Sequence, residues 1–358
     1  MSDRSLNLVD QLQKVVARVP QELAVACGQL RIDFATMDDR VRKLAGGLRG
    51  LGVDCGDRIV VFAPNCHRFI ELYWAAAYLG ASVVPLEARL TDDDISFIVQ
   101  SVDPALGVAD SIADAERLGR LMPLGTPLCA FEGSAGSIVA FDDLLNGERV
   151  ECTEEMIDRD TPMLIMYTAA VEGRPKGAVI THGNLLAQAA QTSQSVGIGE
   201  GSRHGVLLPL THTFGAYLMF VATCNAVCNT VVGAFDASRV AEAIGGDLIT
   251  YYAAFAPMGE RILNACASIG VEPSSKLAFV TGLEVPDTVL RYLAASVPYY
   301  CMYGQTEAAG MVAMGRVDPD SFVANYSGIM MAGTRLSLRD EHGEVVEPGQ
   351  AGEAWLQG

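Results

Sequence analysis

The sequence predicts an α/β fold with largely parallel sheets, and two observations lead to this prediction. Short apolar strands alternate with helices along most of the chain. Such alternation produces parallel strands whose connecting helices pack on the faces of the sheet. The chain has 358 residues. Because one hydrophobic core stops growing at roughly 250–300 residues, we expect two or more packed lobes.

The N-terminal third of the chain shows the alternation most clearly. Apolar spacing predicts a helix, a strand, a helix, a strand and a helix, in that order, at residues 34–51, 58–64, 69–79, 81–86 and 92–100. Thr91 is placed to cap the last of these helices. A strand at 163–168 and a helix at 184–195 continue the same rhythm.

The C-terminal end has a different pattern. From residue 328 onward, short strands are predicted at 334–340, 342–349 and 352–358, joined by turns that contain Gly and Pro. We therefore predict a first α/β subdomain, a second α/β subdomain and the start of a small β subdomain at residues 1–165, 166–327 and 328–358.

Charge and cysteine content exclude several classes of protein. The 43 acidic residues outnumber the 25 basic residues, and the formal net charge is -18. Binding of nucleic acid or of an anionic membrane surface by bulk charge is therefore not expected. The nine cysteines contain no CxxC pair, and the N-terminus has no apolar signal sequence. Both features predict a reduced, cytoplasmic protein.

One uncharged segment needs separate treatment. No Asp, Glu, Lys or Arg occurs between Arg203 and Asp236, and this length could span a bilayer. Pro209 and several polar residues interrupt it, so we predict a buried helix followed by a strand at 229–235, with no membrane span. Cys224 and Cys228 lie in this segment. No histidine or further cysteine is close in sequence, so core packing is favoured over metal binding.

Two motifs carry the chemistry. After the strand at 163–168, the chain enters a loop containing Gly173 and Pro175, and Lys176 follows. Such a loop is typical of a phosphate site, although a plain turn would look the same. The second motif is Tyr-Gly-Gln-Thr-Glu at 303–307, directly after an apolar strand.

Together these motifs resemble the adenylate-forming superfamily, which includes acyl-CoA ligases, luciferases and the adenylation domains of peptide synthetases. Four further segments are similar to that family and occur in its order, at residues 40–65, 74–90, 209–215 and 352–358. The acyl-CoA ligase branch fits best. The resemblance implies the layered αβαβα large N-terminal domain of this family, and the chain stops before the family's C-terminal lid. We therefore expect the 358 residues to bind ligands but to turn over poorly without a lid.

The family's reaction has two steps. A carboxylate first attacks the α-phosphate of MgATP and forms an acyl-adenylate, and a thiol then displaces AMP. The thiol belongs to coenzyme A or to the pantetheine arm of a carrier protein. The resemblance therefore implies a small-molecule carboxylic acid, coenzyme A, AMP, ATP and Mg²⁺ as ligands.

The resemblance also implies roles for individual residues. Thr306 would donate a hydrogen bond to the α-phosphate, and Glu307 would hold Mg²⁺ through a hard oxygen ligand. His212 would lie beside the substrate carboxylate, so His212, Thr306 and Glu307 form the implied catalytic set. The implied AMP-binding residues are Gly282, Leu283, Glu284, Tyr303, Gly304 and Thr306. The implied acyl pocket contains His212, Phe214 and Gly215, and the implied phosphate loop contains Thr168, Ala169, Ala170, Val171, Glu172, Gly173 and Lys176.

The phosphate loop departs from the family. Where the family has Ser-Gly-Thr-Thr-Gly, this chain has Ala169, Ala170, Val171, Glu172 and Gly173. Three hydroxyl donors are lost, and each hydrogen bond to a charged group contributes about 1.5–3 kcal/mol. A carboxylate about 5 Å from a phosphate charge costs on the order of 3 kcal/mol at an effective dielectric constant near 20. We therefore expect MgATP to bind weakly.

The acyl-adenylate lacks the β- and γ-phosphates, so this change should affect it little. The sequence therefore predicts an enzyme that forms the thioester from an acyl-adenylate, with ATP-dependent adenylation lost or weakened. A separate adenylating enzyme would then supply the adenylate. Two alternatives stay open, namely a complete ATP-dependent ligase and a non-catalytic relative that binds acyl-adenylates.

The identity of the acid is less well determined by the sequence. Small residues near the implied pocket leave room for a bulky apolar acid, and they are Gly215, Ala216, Ala222, Ala226, Ala253 and Ala254. Such acids occur in secondary or fatty-acid metabolism. A second departure is Leu283, which replaces a small residue of the family beside adenine.

Overall fold

Two large sheets, with helices between them and on both outer sides, form five layers in the order αβαβα. The computed structural model describes residues 6–151, 157–168, 174–323 and 326–357. Within these residues the helices are α1 (Leu8–Arg18), α2 (Phe34–Gly50), α3 (His67–Leu79), α4 (Asp92–Val102), α5 (Ile112–Gly119), α6 (His182–Val196), α7 (Thr213–Cys224), α8 (Ala237–Gly245), α9 (Met258–Ser268) and α10 (Pro286–Ala294).

The strands follow the same order along the chain. They are β1 (Leu23–Cys27), β2 (Leu30–Asp33), β3 (Arg58–Phe62), β4 (Ser82–Pro85), β5 (Leu106–Ser111), β6 (Leu128–Glu132), β7 (Ile138–Ala140), β8 (Pro162–Thr168), β9 (Lys176–Thr181), β10 (Arg203–Val206), β11 (Cys228–Val231), β12 (Tyr251–Phe255), β13 (Phe279–Leu283), β14 (Tyr299–Gln305), β15 (Gly310–Arg316), β16 (Ile329–Met330), β17 (Arg335–Arg339) and β18 (Glu353–Gln357). Short 3₁₀ turns cover Phe141–Asn146, Pro273–Ser275 and Thr306–Ala308.

The strands are distributed between the sheets in an order that differs from the sequence. Among the described residues, one sheet has the order β7-β6-β5-β3-β4-β8-β9 and the other β16-β15-β14-β13-β12-β10-β11-β1-β2. Both are parallel in their centres, as predicted, and antiparallel pairs lie at their edges. The predicted boundary between the first and second α/β subdomains, at residue 165, falls inside β8. It therefore does not coincide with a change from one sheet to the other, and the subdomains stay a prediction.

Side chains along each central strand point alternately to the two faces of the sheet, and each face packs against a different helical layer. Ile59 and Val61 of β3 face the central helical layer, whereas Val60 faces the outer helices α4 and α5. In β12, Tyr251 faces the central layer and Tyr252 faces α8 to α10. Both faces of each sheet are therefore apolar, which is the burial pattern of parallel sheets covered by helices on both sides.

Helix α7 lies in the central layer and is buried on all sides. An α-helix that is apolar all round belongs in a protein core, which explains the uncharged segment around it. None of the helices in the described parts of the chain is long and apolar enough to cross a membrane. Cys224 and Cys228 are buried at the ends of α7 and β11, and burial raises the pKa of their thiols to about 12 and about 11.

Most predicted elements are present, and Thr91 caps α4 in a capping box with Asp94. The predicted strand at 342–349 is wrong. Residues 340–344 form a tight turn instead, because the Asp340 carboxylate accepts the backbone N–H groups of His342 and Glu344. The strand predicted at 229–235 ends early, at Val231 of β11. The β17–β18 pair begins the predicted small β unit.

Candidate active site

The hairpin of β8 and β9 carries the degenerate loop. Thr168 and Lys176 are paired across the hairpin, and residues 169–175 separate them along the chain. Ala169, Ala170, Val171, Glu172 and Gly173 lie outside the described residues. Arg174, directly after them, lies over the ring of Phe97 of α4 at 4.8 Å. Thr168 lines a cavity, whereas the Lys176 side chain is exposed.

The turn between β14 and β15 presents the predicted phosphate and metal ligands. Thr306 and Glu307 begin the 3₁₀ turn that follows β14, and Ala309 leaves it with a φ of 60°. The Thr213 hydroxyl, at the start of α7, donates to the Thr306 hydroxyl oxygen at 3.1 Å. This bond occupies a lone pair of Thr306 and leaves its own proton free to bind a ligand. Thr213 was not among the predicted site residues.

His212 precedes α7 at the end of a loop that is held from both sides. The Asn65 amide donates to the Leu208 carbonyl at 2.8 Å and accepts the Leu210 N–H at 2.7 Å. The Tyr73 hydroxyl donates to the Leu210 carbonyl at 2.6 Å. The His212 ring is exposed, so the held backbone presents it to solvent-filled space.

A cavity of about 480 Å³, here named the Thr306 cavity, brings together most of the predicted catalytic residues. It is lined by Thr168, His212, Thr213, Phe214, Phe255, Leu283, Met302, Gly304, Gln305, Thr306, Glu307, Gly310 and Met311. The rings of Phe214 and Phe255 are stacked with centroids 5.5 Å apart. The cavity therefore has a polar end at Thr306 and an apolar, aromatic side.

Of the predicted acyl-pocket residues, His212 and Phe214 line this cavity and Gly215 does not, so the acyl pocket stays a prediction. None of the six predicted small residues is among the described residues that line the Thr306 cavity. A Cβ on Gly215 would lie 2.1 Å from the Pro209 carbonyl oxygen, so this glycine serves the close packing of the 207–212 loop on α7. Aromatic and methionine side chains line the cavity instead. The spacing of residues along the chain does not reveal which residues of different strands meet in the folded protein.

A second cavity of about 630 Å³, which also has His212 in its lining, is named the Arg89 cavity. Among the residues described, its charged lining consists of Glu87, Arg89, Asp110 and Asp114. Burial, followed by the nearby Glu132 and Asp114 carboxylates, raises the pKa of Asp110. His212 lines both cavities.

A third cavity of about 430 Å³, the Glu284 cavity, adjoins the first at Leu283. Gly282, Leu283, Glu284 and Cys301 line it. Gly282 has a φ of 150°, and a Cβ there would lie 1.8 Å from the Ala254 carbonyl oxygen. Glycine is therefore required by the neighbouring strand β12.

Two of the predicted AMP-binding residues have unexpected surroundings. The Glu284 carboxylate accepts the Gly259 N–H at 2.7 Å at the N-terminus of α9, and burial raises its pKa. Its second oxygen is buried without a hydrogen-bond partner among the described residues. Tyr303 is 43% exposed and is not among the described residues that line either adjoining cavity.

The hydrogen bond from Thr213 to Thr306 makes a testable prediction. We expect Thr213→Val to weaken binding of AMP by about 3- to 10-fold, because one hydrogen bond contributes about 0.5–1.5 kcal/mol. Isothermal calorimetry measures the affinity. Thr223→Val on the same helix is the control, since it removes a buried hydroxyl that bonds to Met219 and Asn229 away from the cavity. Equal affinity of Thr213→Val and the unmodified protein would contradict the prediction.

Comparison with known proteins places this chain in a family. A sequence model described as AMP-binding enzyme matches residues 12–358. Feruloyl-CoA synthase from Amycolatopsis sp is 29% identical over 352 residues, which cover 95% of this chain and 67% of that protein. A structure described as a long-chain-fatty-acid CoA ligase from Rhodopseudomonas palustris CGA009 is 27% identical with a TM-score of 0.91, over 99% of this chain and 88% of that one.

The fold alone is also shared with a more distant structure. O-succinylbenzoate coenzyme A synthetase from Bacillus subtilis, in complex with AMP, has 20% identity and a TM-score of 0.84, over 97% of this chain and 87% of that one. The layered α/β fold is thus that of the N-terminal domain of adenylate-forming enzymes, as predicted. With a family match over nearly the whole chain and acyl-CoA ligases among its relatives, the chain belongs to the AMP-binding enzyme family and is an acyl-CoA ligase-like enzyme.

Proposed function

We propose that this protein forms a thioester from an acyl-adenylate and a thiol, with ATP-dependent adenylation lost or weakened. The acyl group is that of a bulky apolar carboxylic acid, and the thiol belongs to coenzyme A or to a carrier-bound pantetheine. In this proposal a separate adenylating enzyme supplies the acyl-adenylate.

The observation that carries the proposal is that His212 lines two cavities of different character. The Thr306 cavity has phosphate-type donors beside an aromatic surface, which suits an acyl-adenylate. The Arg89 cavity is lined by the same histidine and, at its charged part, by Arg89 together with the carboxylates of Glu87, Asp110 and Asp114. A thiol in the second cavity would therefore reach an acyl carbon held beside His212.

The residues around the first cavity fit AMP and a divalent cation. Thr306 has a free hydroxyl proton for the α-phosphate, because its oxygen already accepts from Thr213. Glu307 lines the cavity, and no ion pair to its carboxylate is found among the described residues. It would hold Mg²⁺, which prefers carboxylate oxygens and would neutralise phosphate charge. The adenine base would occupy the adjoining Glu284 cavity.

The apolar side of the Thr306 cavity supports an aromatic or otherwise apolar acid. Phe214 and Phe255 offer parallel ring faces, and Met302 and Met311 add adaptable thioether surfaces. The feruloyl-CoA synthase from Amycolatopsis, whose name gives an aromatic acyl group, supports the same choice.

The loss of adenylation is argued from the sequence of the loop at 169–173. Thr168 lines the Thr306 cavity, so the loop that follows it starts at the phosphate end of the site. Hydroxyl donors are missing there and Glu172 adds a negative charge. Both changes act on β- and γ-phosphates, which an acyl-adenylate does not have.

Calorimetry separates this proposal from the two alternatives. The protein is titrated with MgATP, AMP and a non-hydrolysable acyl-adenylate mimic, and it is assayed for each half-reaction. We expect the mimic to bind about 100-fold or more tightly than MgATP, because two or more charged hydrogen bonds are missing. Equal binding of MgATP, with acid-dependent ATP–pyrophosphate exchange, would identify a complete ligase. Mimic binding without thioester formation would identify a non-catalytic relative.

A further inference from the structure

A buried glutamine holds the turn that carries Thr306 and Glu307. Gln188 of α6 is 6% exposed and makes three hydrogen bonds to the backbone of this turn. Its Nε2 donates to the Ala308 carbonyl at 3.3 Å and to the Met311 carbonyl at 2.8 Å, and its Oε1 accepts the Met311 N–H at 3.2 Å.

The turn needs these bonds because the sheet does not supply them. The pairing of β14 and β15 shifts register, since Tyr303 pairs with Ala313 but Gly304 pairs with Met311, and β16 pairs with β15 at Ala313 and Met314. Buried backbone groups outside a ladder require other partners. Gln188 satisfies three of them at once, which fixes where the 3₁₀ turn of Thr306 begins relative to β15.

Helix α6 also starts where the hairpin of β8 and β9 ends. Thr181, the last residue of β9, caps α6, and its hydroxyl accepts the Asn184 N–H at 3.2 Å. Gln188 therefore joins the hairpin bearing the loop at 169–173 to the turn bearing Thr306. Two segments that are far apart in sequence are held by one helix.

We propose that Gln188 is a positioning residue that sets the geometry of Thr306 and Glu307 toward the α-phosphate and its cation. The inference rests on the proposed function, since it assigns that turn to an acyl-adenylate and Mg²⁺. Gln188 is not among the described residues lining the Thr306 cavity, so it acts through the turn and does not touch the ligand.

The first test replaces the amide by an apolar side chain of similar size. We expect Gln188→Leu to weaken binding of the acyl-adenylate mimic by about 10- to 100-fold, the loss that is common when residues supporting a metal ligand are removed. The KM for coenzyme A should stay within about twofold, because the Thr306 turn does not line the Arg89 cavity. Gln191→Leu is the matched control, since Gln191 lies one turn later on α6 and donates to the Ala332 carbonyl at 2.6 Å, outside the site.

The second test keeps the proposal falsifiable if Gln188→Leu does not fold. In Gln188→Glu, a protonated carboxyl retains one of the two donors and the acceptor of the amide, whereas a carboxylate can only accept. Burial raises the pKa of such a carboxyl. Mimic affinity relative to the unmodified protein should therefore recover by about 10-fold between pH 8 and pH 5.5. Both proteins are compared at each pH, so effects of pH that they share cancel in this ratio.

The outcomes are distinct. Weak mimic binding by Gln188→Leu but not Gln191→Leu, with recovery of Gln188→Glu at low pH, supports the inference. Unchanged mimic affinity in Gln188→Leu, or a pH-independent affinity ratio for folded Gln188→Glu, overturns the role of Gln188 while the proposed function stands. Failure of the unmodified protein to bind the mimic overturns both.

Discussion

Replacing Glu172 by threonine is expected to increase the affinity for MgATP by about 100-fold, because a carboxylate near the terminal phosphates costs on the order of 3 kcal/mol. Restoring all four positions with Ala169→Ser, Ala170→Gly, Val171→Thr and Glu172→Thr should add hydroxyl donors, and each contributes about 1.5–3 kcal/mol. ATP–pyrophosphate exchange and calorimetry with MgATP measure the gain.

The affinity for AMP provides the internal control for these substitutions. AMP has no β- or γ-phosphate, so its dissociation constant should change by less than about threefold. Glu200→Thr is the matched charge control, because it removes one exposed carboxylate on a different part of the surface. An unmodified protein that already binds MgATP as tightly as the repaired variant would refute the assignment of Glu172 as the cause.

Acid is expected to destabilise the protein between about pH 6.5 and pH 4, through two buried histidines. Burial lowers the pKa of His182 and of His204 to about 4 in each case. In the unfolded chain these rings bind protons below about pH 6.5, so the unfolded state takes up more protons in this window and stability falls as pH falls. Each histidine contributes a loss of about 3 kcal/mol in total.

Burial keeps both rings neutral, whereas the hydrogen bond with Asn229 acts in the opposite direction and raises the pKa of His204. The His182 Nδ1 accepts the Leu8 N–H at 3.3 Å, so protonation there would break a buried bond. The His204 Nδ1 lies 2.8 Å from the Asn229 Oδ1, and its ring is stacked on Tyr251. Asn229 uses its Nδ2 to donate to Met219 and Thr223, so its Oδ1 accepts from His204.

The variant His204→Phe separates the effect of histidine protonation on stability from the effect of ring packing. The variant keeps a ring on Tyr251 and loses one hydrogen bond at every pH, so its stability has a constant offset. The slope of the unfolding free energy between pH 6.5 and 4 should be smaller by up to about 1.4 kcal/mol per pH unit. Urea unfolding at several pH values measures it. An unaltered slope in His204→Phe would count against the prediction.

Sequence patterns predicted the elements with strong local signals. The capping of α4 by Thr91 depends only on residues three apart, and the strand at β3 depends only on a run of β-branched residues. The predicted strand at 342–349 failed because the side chain of Asp340 competes for the backbone N–H groups. Local hydrogen bonds of that kind override β propensity.

The candidate site likewise contains residues that local motifs predicted and residues that they missed. Motifs predicted His212, Thr306, Glu307 and Phe214, and all four line the Thr306 cavity. Thr213 and Gln188 were missed, although each is a polar residue on the buried part of a helix. A buried polar side chain on an apolar helix face is a signal for a partner elsewhere, but the sequence does not say which one.

The order of motifs along the chain was sufficient to predict the family and the layered fold class, and the altered residues 169–173 led to the proposal of weakened ATP binding. These depend on residue identity and local spacing, which are written in the sequence. The tertiary structure decided which residues meet. Strands distant in sequence lie side by side, so Phe255 comes to face Phe214 and one histidine comes to line two cavities. Contacts of this kind depend on sheet order and helix packing, which spacing along the chain does not specify.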